Sequence, residues 1–423
     1  MDKWEDINQG DLVTISSSKR IYASDYVDKG VPFYRSKEII EFYHGKDVSL
    51  ELFISEKKYL GIKEKYGVPS TGDVLVTSVG TIGVPMLIKN DAPFYFKDGN
   101  LIWIKLSKSK NQINPKYFYF FLDSDYGKAK LDSILIGSSQ KALTITGFNK
   151  LKIKLPPLGY QKKIASILSA YDDLIENNLK RIKLLEEKAQ LTYEEWFVRM
   201  KYPGHENDVV DSETGLPEGW CKAGLEYLCE KITDGTHDSP KKTETGIYLI
   251  TGKDLKNGFV DFSNASKINI EDHKAIKKRS GLNYGDILFS NIGTLGNLAY
   301  VFESFEYSCK NVIIFKRKQH FNHFLLAYLS NKYTKKKLEQ RSSGVAQKFF
   351  SLSFVRNFKD VFPPKNLIEK YDKISCVIIK EKIKLMMINN KLISSRNILL
   401  PRLMSGMIDV NEIMYNYPKE ILE

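Results

Sequence analysis

Cysteine is scarce and poorly placed. There are four, Cys221, Cys229, Cys309 and Cys376, in 423 residues. No pair has C-x2-C spacing, the closest being C-x7-C, so neither a zinc site nor a disulfide framework is built. Buried free thiols in a reducing cytosol are expected. No apolar run approaches the roughly 18–20 residues of a membrane span. The opening Met1–Asp11 is polar and acidic, unlike a signal peptide. A cytoplasmic location with no membrane partner is therefore expected. Catalytic signatures are missing too. No G-x-x-x-x-G-K-[ST] loop exists, the nearest miss being Gly246 to Gly252-Lys253-Asp254, and there is no G-x-G-x-x-G. Two Pro-Pro pairs occur, Leu155-Pro156-Pro157-Leu158 and Phe362-Pro363-Pro364-Lys365. Neither has the preceding polar residue and following aromatic with which an adenine methyltransferase holds its target, and both read as helix-start signals. His320-x2-His323 has no obvious third metal ligand nearby. A chain that does its own chemistry is disfavoured.

What is present is basic and aromatic. The net charge is +13, with 24 Tyr and 23 Phe. An acidic partner is implied, nucleic acid first and anionic membrane second; a Lys-rich codon bias is the plain alternative. Hydrophobic content of 42% and charged content of 27% suit a folded protein of two or three domains.

Tyr160–Met200 carries neither Pro nor Gly. Ile164, Leu168, Tyr171, Ile175, Asn178, Ile182, Leu185, Ala189, Thr192 and Trp196 recur at steps of four and three. That period predicts a coiled-coil seam on a helix spanning roughly 60 Å. Asn178 is its one frankly polar position, a candidate register pin. The flanking sequences repeat each other. Trp4 falls on Trp220, Gly72-Asp73-Val74-Leu75 on Gly285-Asp286-Ile287-Leu288, Gly80-x-x-Gly83 on Gly293-x-x-Gly296, Gln140-Lys141 on Gln347-Lys348, and Pro156-Pro157 on Pro363-Pro364. The chain reads as domain, helix, domain, helix. A second helix is predicted over Tyr371–Leu400, with Ile374, Ile378, Leu385, Ile388, Leu392 and Leu399 on its seam and Pro401 ending or kinking it. The two helices are expected to pair antiparallel.

These residues resemble the specificity subunits of type I restriction–modification systems. Leu155-Pro156-Pro157-Leu158-x-x-Gln161-Lys162-Lys163-Ile164-Ala165 looks like the start of that family's central region, and Trp196-Phe197 like its end. Asp211-Ser212-Glu213-x-Gly215-Leu216-Pro217-x-Gly219-Trp220 looks like the approach to a second target-recognition domain. Leu399-Leu400-Pro401-Arg402-Leu403-Met404-Ser405-Gly406 is similar to the C-terminal region. The second helix lacks the usual Gln near its start.

The resemblance implies an α+β chain: two repeated α/β target-recognition domains separated by a pair of long antiparallel coiled-coil helices. The divisions expected are 1–157, 158–202, 203–365 and 366–423. It also implies a noncatalytic subunit binding a bipartite site on double-stranded DNA. Two modification subunits and further restriction subunits would dock on it. S-adenosylmethionine, ATP and Mg would belong to those partners, with no cofactor in this chain. A partner joining methylation and cleavage in one chain, or a coiled-coil scaffold without sequence preference, are the alternatives.

Loops shared by the repeats are the candidate DNA contacts. In the first half these are Lys19, Arg20 and Tyr22, then Ser78 and Thr81, then Gln140 and Lys141. In the second half they are Thr236, His237, Lys241 and Lys242, then Asn291 and Thr294, then Gln347 and Lys348. Gln140 and Gln347 have the amide that can bond adenine bidentately; capping a turn is the equal alternative. Both Gly-x-x-Gly pairs are expected to shape turns. Ile164, Leu168, Ile175, Asn178, Leu185, Trp196, Phe197, Ile378, Leu385 and Leu392 are the candidates for helix pairing or subunit docking.

Overall fold

Val74–Thr77 forms a strand buried at every position in the computed structural model, which describes residues 4–46, 49–106, 112–138, 140–341 and 349–411. A strand covered on both faces must be apolar throughout, with successive side chains sent to opposite sides. Val74, Val76, Ile102 and Ile104 pack on Tyr117, Phe118, Ile164, Leu168 and Leu403. Leu75, Leu101 and Trp103 pack the other way, on Phe33, Ile54, Tyr95 and Phe96. The sheet that carries them is antiparallel, in the order Thr14–Ser16, Leu101–Lys105, Val74–Thr77, Pro85–Leu87. Glu5–Asn8 pairs with Lys152–Leu155 beside it. Together with Asn389–Glu423, Met1–Asn177 makes one of two compact units.

The second unit, Asn178–Ile388, repeats this topology. Its antiparallel sheet runs Lys231–Asp234, Val312–Lys316, Ile287–Ser290, Leu298–Tyr300. Ile287, Phe289, Ile313 and Phe315 face Phe324, Tyr371 and Phe197. Leu288, Val312 and Ile314 face Ile250, Leu255 and Cys309. Cys221–Gly224 pairs with Lys359–Phe362, as Glu5–Asn8 does with Lys152–Leu155. The duplication read from short motifs is thus a duplication of strand order and register.

Both Pro-Pro pairs lead directly into long helices, Leu158–Tyr193 and Lys365–Met404. The first continues as a π turn over Glu194–Val198, not as α-helix to Met200. The second starts before Tyr371 and runs three residues past Pro401. A proline in the last turn removes one hydrogen bond and ends nothing by itself. Each helix contributes to both units, and within each unit the two are antiparallel. In the first unit Arg396 pairs with Asp172 at 2.5 Å. In the second, Lys382 pairs with Glu186 at 2.6 Å and Arg181 with Glu381 at 3.0 Å.

The seam differs from its apolar outline. Ile164 and Leu168 are in the first core, and Phe197, Ile378 and Leu385 are buried in the second unit. Ile175, Leu185, Trp196 and Leu392 are half-buried. Ile374 and Ile388, expected on the seam, are exposed. Ser375, Lys382 and Asn389 are buried instead, one heptad apart, with half-buried Arg396 next in the series. Asn178 is buried as well. The helical stretches 115–131 and 321–338 each split in two, because Ser124 and Asn331 turn their side chains back to cap Asp125–Asp132 and Lys332–Gln340. Of the cysteines, Cys229 and Cys309 are buried, whereas Cys221 is exposed.

Asp172 gives the first unit a pH signature. Burial raises its carboxyl pKa above the usual 3.8, and Arg396 offsets only part of this. A carboxyl that holds its proton more tightly when folded contributes stability below pH 3.8, and that contribution is lost as pH rises through the raised value. Asp172→Asn is expected to flatten this loss and to change stability at pH 7 by no more than about 1 kcal/mol. Denaturant unfolding of both proteins from pH 3 to 7 checks it. A gap that widened toward neutral pH in favour of wild type would show the ion pair to be net stabilising.

Candidate nucleic-acid interface

Antiparallel neighbours place alternate strand ends side by side. The end of Thr14–Ser16, the start of Leu101–Lys105, the end of Val74–Thr77 and the start of Pro85–Leu87 therefore share one sheet edge. All the first-half candidate loops leave from or contact this edge. Lys19 follows the first strand, its backbone N–H donating to the Tyr95 hydroxyl at 2.7 Å. Its ammonium lies 4.6 Å from the Tyr66 ring centre. Arg20 Nε donates to Asp98 Oδ2 at 2.9 Å, and this hydrogen bond raises the guanidinium pKa. Tyr22 is 62% exposed.

Ser78 is buried and occupied: its hydroxyl donates to the Gly99 carbonyl at 2.9 Å and its own carbonyl accepts from Leu143 N–H at 2.9 Å. It joins loops and has no hydroxyl left for a base. Thr81 is exposed; its carbonyl accepts the Thr77 hydroxyl at 2.6 Å. Gly80 and Gly83 take φ of +72° and +81°, the left-handed backbone that the turn requires. Val79 bridges to Ala142, and Ile136 also bridges to Ala142. The turn bearing exposed Gln140 and Lys141 is thereby set beside the Ser78–Gly83 loop. Three loops distant in sequence converge.

The second unit assembles the same edge from other residues. His237 follows the edge strand with its side chain 60% exposed, Nε2 lying 2.6 Å from Asp234 Oδ2 and Nδ1 2.9 Å from Asn311 Oδ1. Arg279 lies 3.7 Å from the other Asp234 oxygen and donates to the Gly235 carbonyl. Thr236 is buried, bonding Cys309 and Asn311 through its backbone. Lys241 and Lys242 are exposed. Thr294 donates its hydroxyl to the Gly252 carbonyl at 2.8 Å. The Asn291 carbonyl accepts from Phe350 N–H at 2.9 Å, while its side-chain Oδ1 is buried with no partner among the described residues. Gln347 and Lys348 lie outside the described residues. Asp98, Arg279 and Asn311 were not visible as site residues in the sequence, since each acts through a partner far along the chain. Asp234, by contrast, stands in the Asp234-Gly235-Thr236-His237 motif, which resembles one found in the recognition domains of type I specificity subunits.

Chemistry is sparse at both edges. Burial pushes the Cys309 thiol up to about 12, far from a reactive thiolate. His320 sits in a turn and His323 is bound to Asp372, so the pair does not converge on a metal. Among the described residues no group of three or more His, Cys, Asp or Glu could hold a metal ion, and no helix is long and apolar enough to cross a membrane.

Residues 1–187 match the family described as the type I restriction modification DNA specificity domain. Over this segment, less than half of its length, the chain is similar to that family. A Methanocaldococcus jannaschii protein, the type I restriction enzyme MjaIX specificity subunit, is 25% identical over 365 residues, covering 81% of this chain and 79% of that one. A Haemophilus influenzae chain named as a type I restriction enzyme specificity subunit is 31% identical over 189 residues, but the match spans only 45% of its length. The crystal structure of a type I S subunit from M. genitalium has the same fold, with a TM-score of 0.58 at 15% identity over 95% of this chain and 96% of that one. The specificity-family segment ends at residue 187, so it takes in the whole first sheet edge.

Proposed function

We propose that this chain is the DNA sequence-recognition subunit of a type I restriction–modification complex. Each repeated domain reads one half of a bipartite site through the loops at its sheet edge, where major-groove contacts distinguish all four base pairs. The observation that carries this reading is the convergence of three sequence-distant loops on one edge of the first sheet, inside the segment that matches the specificity family. The chain itself is noncatalytic. Modification and restriction subunits supply S-adenosylmethionine, ATP and Mg chemistry, and they dock on the helices. Leu184, Leu191 and Val198 support the docking: they recur every seven residues and remain exposed, beside a cleft lined by Trp196 and Arg199. The functional divisions are 1–157, 158–202, 203–365 and 366–423.

Selection of bound duplexes from a randomised library by the full chain, alone and with its modification subunits, tests the reading. Two short conserved blocks separated by an unspecified spacer are expected. Replacing residues 203–365 with the corresponding domain of a relative should change one block and leave the other. A sequence-independent isotherm, with affinity falling as the salt exponent of about −0.9 per neutralised phosphate, would favour the scaffold alternative.

A further inference from the structure

The two sheet edges differ at one equivalent place. Four residues past Ser16 stands Arg20; four residues past Thr233, the residue in the matching ladder position, stands His237. His237 has both ring nitrogens engaged, with Asp234 and Asn311. Arg20 is held differently. Its Nε is bonded to Asp98, and among the described residues neither Nη group has a partner. Burial is lopsided: the Asp98 side chain is 20% exposed and that of Arg20 68%.

The anchor is itself fixed. Asp98 precedes Gly99, whose carbonyl takes the Ser78 hydroxyl, and Asn100, whose carbonyl takes the Ser78 N–H at 2.9 Å. The backbone before Arg20 is fixed by the bond from Lys19 N–H to Tyr95. An exposed ion pair of this kind contributes little to stability, so its geometry has no strong folding rationale. A guanidinium tied at Nε keeps its two Nη groups as a parallel donor pair, the shape that matches guanine O6 and N7. Holding the fork in advance also lowers the ordering cost of that contact. A phosphate contact needs no such orientation.

We propose that Arg20 reads a guanine in the first half-site and that Asp98 is its positioning residue. This rests on the recognition function proposed above. The test is binding selection with the full chain carrying Arg20→Ala, Arg20→Lys or Asp98→Asn, followed by affinities for the selected site and for that site with the guanine pair replaced. Arg20→Ala should lose the guanine preference at one position of the first half-site and weaken the selected site by about 10- to 100-fold, with the second half-site intact. Arg20→Lys keeps the charge but lacks the fork, so it should not restore the preference. Asp98→Asn should blur the same position while the salt dependence stays as in wild type. Equal weakening on every sequence after Arg20→Ala, with a shallower salt slope, would make Arg20 a phosphate contact and overturn the proposal. So would full rescue by Arg20→Lys. No effect of Asp98→Asn would overturn the positioning role. Wild-type protein that selects no motif would overturn the recognition function itself, a different outcome from any of these.

Discussion

Asp372→Ala should destabilise the second unit by about 3–5 kcal/mol. The helix Asn322–Ser330 has no side-chain cap of its own: its N-cap is Phe321, and its first turn carries no acidic residue. Asp372, from the second long helix, supplies the cap. One carboxylate oxygen accepts the backbone N–H groups of His323 at 2.8 Å and Phe324 at 3.3 Å, while the other lies 3.0 Å from His323 Nδ1. His323 is in turn 3.3 Å from the Tyr300 hydroxyl, which also accepts from Asn322. Asp372 and His323 are buried, so water cannot replace the lost acceptor, and each orphaned donor costs about 1–3 kcal/mol. Asp372→Asn keeps one acceptor oxygen and should cost about half as much. Hydrogen exchange is the measurement. Amides of Asn322–Ser330 and Val312–Lys316 should lose protection in the Ala variant, and those of Val74–Thr77 should keep it. Unchanged protection in Asn322–Ser330 would refute the capping role.

That cap also resolves an apparent defect. In the first long helix Gln161 accepts from the Asn114 N–H at 2.8 Å and donates to the Gln112 and Pro156 carbonyls, clamping the start of the helix Pro115–Asp123. The second helix has no Gln at the matching position. Asp372 does the related work one helical turn further from its Pro-Pro pair, a substitution that motif alignment does not detect.

Other features divide along the same line. The two long helices are legible because an apolar period of three and four survives in either one alone, and the repeat is legible because Gly and Pro mark backbone turns that both halves need. The polar seam of Ser375, Lys382, Asn389 and Arg396 is not legible by apolar counting, since an Arg or Lys enters a seam only when the other helix brings an Asp172 or Glu186 to meet it. At the site, charge and turn residues locate the loops correctly as loops. They do not say which hydroxyls face outward. Ser78 and Thr294 turn theirs to carbonyls of their own chain, and only the folded register reveals it. Asp98 is 78 residues from Arg20, beyond any spacing rule.

Gly235→Ala should abolish reading by the second domain and cost that unit about 2–4 kcal/mol. The reason is close approach, not a left-handed backbone. A Cβ at Gly235 would lie 2.2 Å from the Cys309 carbonyl oxygen and 2.9 Å from its sulfur. Cys309 is buried in a strand paired to Ile250 and has little room to yield. The segment from Asp234 to His237 must move instead, although Gly235 N–H is bonded to the Val312 carbonyl at 2.9 Å and its own carbonyl to Arg279. His237 would then leave Asn311, and Arg279 would lose its carbonyl. Gly61→Ala is the control: it sits in the helix Glu56–Tyr66 with nothing within 4 Å of the added carbon, and should stabilise by about 0.5–1 kcal/mol. In the binding selection, Gly235→Ala should retain the first block of the bipartite site and lose the second. Retention of both blocks would mean that the segment around His237 takes no part in recognition, and reading by the second domain would then have to come from its remaining loops.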